Sequence, residues 1–157
     1  MAHYLMNILI VRLSSIGDII HTLPAVPLLK KKFPNSTITW VVEEPGVDLL
    51  RGYPGVDHVI VAKKRQVLEA LRAGLPVQAA RLLKELIRDL RQGFYDIILD
   101  FQGLFKSGIL VLASRGRRKI GFGNAREGAT LFYTERAPAP AFHDHALQRH
   151  MALLKPL

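Results

Sequence analysis

The run Asn7-Ile8-Leu9-Ile10-Val11-Arg12 is apolar through four consecutive residues and shows no alternation with polar ones. A strand of that kind is buried on both faces, which points to a parallel sheet covered by helices. Further runs of the same character recur down the chain. Residues 37–42 (TITWVV) lead into Glu43, Glu44, Pro45 and Gly46. Residues 58–62 (HVIVA) follow the turn signal Tyr53-Pro54-Gly55, and residues 95–101 (YDIILDF) and 119–122 complete the set. Helical spacing fills the intervals. Residues 19–33 close on Lys30, Lys31 and Lys32, the charge that complements a helix C-terminus, with Pro27 expected to kink or divide the helix. Ala79, Leu82, Leu83, Leu86, Ile87 and Leu90 form one stripe within residues 78–93, and another helix is expected over 104–114. Strands alternating with helices predict an α/β fold, a Rossmann-like doubly wound and mostly parallel sheet. Ligands of such sheets sit beyond the carboxyl ends of the strands, so chemistry is expected in the loops that start at Leu13, Glu43, Lys63 and Gln102.

With 157 residues, 49% of them hydrophobic, and a mean hydropathy of +0.16, the chain suits one domain with its own core and is no disordered segment. It has no cysteine, which excludes disulfides, thiolate metal sites and a thiol nucleophile and fits the cytoplasm. Its first residues lack the basic stretch and small-residue cleavage site of a signal peptide, and no apolar run approaches the roughly 20 residues that span a bilayer. A soluble or peripheral protein is expected. Twenty-two basic residues against 13 acidic ones give a net charge of +9, which implies a polyanionic partner. Residues 137–141 (APAPA) are the nearest thing to a linker; a helix is expected over 144–154, and the ending suggests a truncation or a lone domain.

The first βα loop, Arg12-Leu13-Ser14-Ser15-Ile16-Gly17-Asp18, is neither G-x-G-x-x-G nor a Walker loop. Its small residues allow a ligand close to the backbone at a helix N-terminus. Asp18 there has two readings, an N-cap or a general base able to take a proton from a hydroxyl nucleophile. Glu43 and Glu44 point to opposite faces of their strand and read as solvated edge carboxylates. Asp100-Phe101-Gln102-Gly103 with Lys106 and Ser107 fits a turn and N-cap as well as a ligand contact. Among the basic groups, Lys63, Lys64 and Arg65 lie on the expected ligand edge and suit phosphate or carboxylate, as does Arg126 in a glycine-rich turn; Lys30–Lys32 and Arg115–Lys119 read as surface charge. His143, His145 and His150 do not make a metal site by spacing. Nucleic acid finds no support, because Trp40, Phe101 and Phe122 lie in or beside apolar strands.

Four collinear segments, ILIVRLSSIGDIIHTLPA (8–25), WVVEE (40–44), DFQGLFKS (100–107) and NAREGATLFY (124–133), resemble the N-terminal half of the bacterial lipopolysaccharide heptosyltransferases. These are inverting glycosyltransferases of family 9 with the GT-B architecture. The resemblance implies transfer of heptose from ADP-heptose to Kdo of Kdo-lipid A, without a metal or other cofactor. It implies that residues 1–157 form the acceptor-binding domain, with the donor-binding domain absent, Asp18 as the catalytic base, and Ser14, Ser15, Gly17, Lys63, Lys64, Gln102, Lys106 and Arg126 on the substrate. The implied location is cytoplasmic, at the anionic surface of the inner membrane. Gly128 departs from the family, where many members carry proline. The competing expectation, a non-catalytic α/β nucleotide- or anion-binding module of the receiver kind, needs an acidic pair after the first strand; Ser14 and Ser15 stand there instead.

Overall fold

The computed structural model describes residues 5–138 and 145–157. Its six strands are β1 (Met6–Val11), β2 (Ser36–Glu43), β3 (His58–Ala62), β4 (Tyr95–Asp100), β5 (Gly116–Phe122) and β6 (Glu135–Ala137). They form one sheet in the order β3-β2-β1-β4-β5-β6, and every pair is parallel. This is the doubly wound arrangement, with the reversal of strand order falling between β1 and β4.

The unalternating strand explains itself in the packing. Ile8 and Ile10 of β1 enter one core with Trp40, Val26, Leu29, Phe101 and Leu153, while Leu9 and Val11 enter the other with Val41, Ile98, Leu90 and Val111. Helices α1 (Ile16–Thr22), α2 (Ala25–Lys32), α3 (Val47–Leu50) and α7 (Ala146–Ala152) cover the first face. Helices α5 (Pro76–Leu90) and α6 (Phe105–Ala113) cover the second, and α4 (Lys64–Arg72) packs on α5. Trp40 is fully buried, and its indole N–H is satisfied by the Arg12 carbonyl at 3.0 Å.

Several expectations need correction. The break in the first helical segment falls at Leu23 and Pro24, not at Pro27. Pro27 sits in the first turn of α2, where its missing N–H has no intrahelical partner to lose. Residues 63–65 are not an open loop, since Lys63 caps α4 and the next two residues are its first turn. Ala137 ends β6 and is buried, so the linker does not begin there; residues 139–141 and His143 lie outside the described residues. Gly128 takes φ +76, a left-handed conformation that proline's ring forbids. No helix among the described residues is long and apolar enough to cross a membrane.

Candidate active site

Where strand order reverses, the loops after β1 and β4 diverge and leave a crevice. A cavity of about 450 Å³ occupies it, lined by Arg12 and Asp18 from the first loop and Phe101, Gln102 and Gly103 from the second, with Asn124 and Arg126 after β5 and Arg149 and His150 on α7.

Asp18 is the third residue of α1; Ser15 is the N-cap. One carboxylate oxygen, Oδ2, accepts from the Ser15 backbone N–H (3.4 Å) and hydroxyl (3.0 Å) and pairs with the Arg12 guanidinium at 2.8 Å. The two readings of Asp18 therefore coexist, because it reaches back to the cap and still presents a side chain that is 44% exposed at the cavity. Oδ1 has no partner among the described residues. Burial alone raises the Asp18 pKa, but the Arg12 charge and the Ser15 hydrogen bonds outweigh it and hold the carboxyl below its ordinary value.

Arg12 is buried at the end of β1, and burial lowers its pKa against the opposing pull of Asp18 and Asp100. Its Nη1 donates to the Phe101 carbonyl at 2.6 Å, tying the first loop to the second, while its Nε is buried without a partner.

The second loop is organised from beneath by Asp100. That carboxylate is fully buried and accepts from the Gln102 and Gly103 N–H groups at 2.9 and 3.1 Å, from Tyr133 Oη at 2.7 Å and from Ser107 Oγ at 2.8 Å. Burial raises its pKa against those hydrogen bonds, and burial with the Asp100 charge raises that of Tyr133 strongly. Gly121 makes the Tyr133 contact possible, since a side chain there would run into the tyrosine ring. Gln102 carries the order onward: its Oε1 accepts from the Leu13 and Ser14 N–H groups at 3.1 and 3.2 Å. Arg126 is set by its own backbone, its N–H bonding the Gly103 carbonyl at 3.0 Å, while the neighbouring Glu127 accepts from Phe105 N–H at 3.2 Å at the start of α6.

The predicted residues thus divide. Asp18, Gln102 and Arg126 line the cavity, Ser15 holds Asp18, and Gly17 faces open space. Ser14, Lys64 and Lys106 gather beside it around Glu43, whose Oε1 lies 3.0 Å from Lys106 Nζ and 3.8 Å from Lys64 Nζ. Glu43 is only 12% exposed, so it is not a solvated edge carboxylate. Lys63 is elsewhere, paired with Glu85 of α5 at 3.6 Å. Of the remaining basic groups, Lys30 binds Asp57 at 2.8 Å, and Arg118 grips Glu135 through two bonds of 2.7 Å, both within the scaffold.

Arg12, Arg149 and His150 are functional candidates that the sequence reading did not select. Arg149 and Arg126 have no ion pair among the described residues. His150 is 6% exposed, contacts the Phe101 ring edge-on at 6.2 Å, and has a buried Nδ1 without a partner. Burial first and the Arg12 charge second lower its pKa to about 4, so the imidazole is neutral near pH 7.

The doubly wound domain carries a carboxylate and guanidinium groups at its switch point, and it is similar to known glycosyltransferases. The profile of Glycosyltransferase family 9 (heptosyltransferase) matches residues 83–157. Lipopolysaccharide heptosyltransferase 1 of Escherichia coli K12 is 35% identical over 147 residues, 92% of this chain and 45% of that protein. The lipopolysaccharide core heptosyltransferase OpsX of Haemophilus influenzae is 30% identical, over 93% and 39% respectively. The structure of E. coli heptosyltransferase WaaC with ADP superposes with a TM-score of 0.85 at 32% identity, over 96% of this chain and 47% of that one. The chain is similar to the heptosyltransferases of glycosyltransferase family 9 over 92% of its length. It corresponds to the N-terminal domain of the GT-B heptosyltransferases and spans less than half the length of the curated relatives it matches.

Proposed function

We propose that residues 1–157 are the acceptor-binding half of a heptosyltransferase that moves heptose from ADP-heptose to a hydroxyl of Kdo in Kdo-lipid A, with Asp18 as the general base. The observation that carries this reading is the unengaged Asp18 oxygen at a cavity edged by the unpaired Arg126 and Arg149. Kdo brings a carboxylate and hydroxyls together. The guanidinium groups suit the first and Asp18 the second.

In the reaction, a Kdo hydroxyl oxygen forms a bond to the anomeric carbon as the bond from that carbon to the ADP phosphate breaks, with inversion. The hydroxyl proton passes to Asp18, and ADP leaves with the electron pair. A carboxylate with a lowered pKa is a weak base toward a free alcohol. It is adequate here because the oxygen becomes strongly acidic as its bond to carbon forms, and Arg12 keeps the carboxylate ionised until then. Ser14, Ser15 and Gly17 shape the backbone next to the acceptor, and Gln102 and Lys106 hold that loop from either side. Lys63 and Lys64 stand farther out, where the phosphates of a lipid-borne acceptor would pass. Donor binding and leaving-group stabilisation belong to the other half of the transferase, and the site of action is the cytoplasmic face of the inner membrane.

In the complete transferase, Asp18→Asn is expected to lower kcat by about 10² to 10⁴ with little change in KM for ADP-heptose. The variant also leaves Arg12 without its counter-charge, at roughly 1–2 kcal/mol after allowance for solvent screening, so rates are compared where both proteins are folded. Near-normal turnover would remove Asp18 from the mechanism.

A further inference from the structure

From the end of β3 the chain rises through α4, turns at Ala73-Gly74-Leu75, and returns through α5. The Lys63–Glu85 ion pair puts the start of α4 beside the second half of α5. The nine residues of α4, about 13 Å of helix, therefore carry the turn beyond the carboxyl ends of the strands, on the same edge of the sheet as the cavity.

The tip is unusual in what it shows to solvent. Residues 71–78 are all exposed, and among them Leu75 is 49% and Val77 75% accessible, with Leu71 beside them. Leu75, Pro76 and Val77 edge a shallow groove together with Arg81. From Ala70 to Leu83 the segment carries Arg72 and Arg81 and no carboxylate. Down the flank, Lys64 and Arg65 lie 3.8 and 3.7 Å from Glu43 and Glu69, so the unbalanced charge is at the tip. An apolar tip ringed by arginines matches the boundary between lipid headgroups and acyl chains, where the apolar side chains enter and the guanidinium groups stay with anionic phosphates.

We infer that the α4–α5 hairpin is a membrane-docking element that inserts Leu75 and Val77 into an anionic bilayer, with Arg72 and Arg81 on the headgroup phosphates. The inference rests on the acceptor reading above for its purpose, because docking by this edge turns the cavity toward the lipid-anchored sugar. Its physical basis is the exposure, the charge and the projection of the hairpin. The occupant is a lipid surface and not a protein, since the exposed apolar residues cluster at a narrow tip and every formal charge among them is positive.

The test uses the chain itself with vesicles of phosphatidylcholine alone and of phosphatidylcholine mixed with phosphatidylglycerol. Sedimentation with the mixed vesicles and not with the neutral ones is expected, and Leu75→Asp with Val77→Asp should weaken it by about tenfold or more. Leu131→Asp, at an equally exposed apolar residue far along the chain, should leave it unchanged. In Val77→Trp, tryptophan emission should shift to the blue when mixed vesicles are added. Equal partition into both vesicle types, an unchanged double variant, or no spectral shift overturns the proposal; so does concentration-dependent dimerisation that the double variant abolishes, which would give the tip to a second copy. Arg126→Ala, in the crevice and not on the hairpin, should weaken binding of a soluble Kdo-lipid A analogue and leave vesicle binding unchanged, and loss of vesicle binding in this variant overturns the proposal. Loss of binding to a soluble Kdo-lipid A analogue by the double variant, with vesicle binding intact, would place the acceptor on the hairpin and contradict both, whereas vesicle binding without any analogue binding breaks the acceptor reading alone.

Discussion

Two regions at the same edge of the sheet carry the chain's conspicuous charges, and they are built differently. At the crevice between β1 and β4, the charges beneath the exposed Arg126 and Arg149 are buried or half-buried and bonded across the chain, Arg12 to Asp18 and Phe101 and Asp100 to four donors, and the neutral Gln102 amide ties back to the first loop. At the start of α4, Lys63 and Arg65 make long contacts of 3.6 and 3.7 Å to exposed glutamates. Both regions are basic, but only the first holds its groups in fixed directions. The difference follows from topology, since β1 and β4 are neighbours whose loops part, whereas β3 is an edge strand followed by a helix hairpin free to project. Basic charge attracts anions at both, and only the crevice has the fixed geometry that would favour one ligand over another.

The comparison breaks most sharply at Asp100. Asp100→Ala leaves the Tyr133 hydroxyl and two backbone N–H groups without their acceptor in a closed interior, and is expected to cost about 3–5 kcal/mol in urea unfolding. A loss below about 1 kcal/mol would mean that the second loop is held by other means.

His150 gives the next largest effect, through pH. Its folded pKa of about 4 lies below the ordinary 6.5, so between these values the unfolded chain binds a proton that the folded chain does not. Stability due to the neutral imidazole is complete above pH 6.5 and falls as pH drops toward 4, by on the order of 3 kcal/mol. Asp18, with a lowered pKa, adds a loss at still lower pH, below its unfolded value of 3.8. Replacing His150 with glutamine should flatten the limb between pH 6.5 and 4 and leave the more acid one; an unaltered limb would assign the pH dependence elsewhere.

The smallest effects sharpen the contrast. Lys106→Ala removes the close partner of the nearly covered Glu43 and should destabilise by about 1 kcal/mol, while Lys63→Ala should stay within about 0.5 kcal/mol. Added salt should erase any Lys63 effect before the Lys106 effect. Equal losses from the two, measured by thermal unfolding, would erase the distinction between the regions.

Much of this was legible in the order of residues. The unbroken apolar run of β1 called for helices on both faces, and small residues ahead of Asp18 marked the loop after it. Strand order was not legible, and strand order decides which loops meet. Lys63 and Gln102 both follow strands and so looked equivalent, until β3 took the edge and β4 the centre. Arg12 ends a strand that reads as core, and nothing local reveals that its guanidinium crosses to Phe101. Arg149 and His150 reach the crevice only because Leu153 is buried in the first core and docks α7 against α1, a contact spanning most of the chain. The exposed tip of the hairpin was hidden for a related reason: Leu75 and Val77 are ordinary apolar residues until the fold leaves them uncovered.

On the proposed reading, the crevice between β1 and β4 receives the acceptor and not the donor. Calorimetric titration of the chain with a soluble Kdo-lipid A analogue and with ADP-heptose tests it directly. Saturable binding of the analogue is expected, weakened about tenfold or more by Arg126→Ala, with little binding of ADP-heptose. Tight binding of ADP-heptose by this chain alone, or analogue binding indifferent to Arg126→Ala, would contradict it.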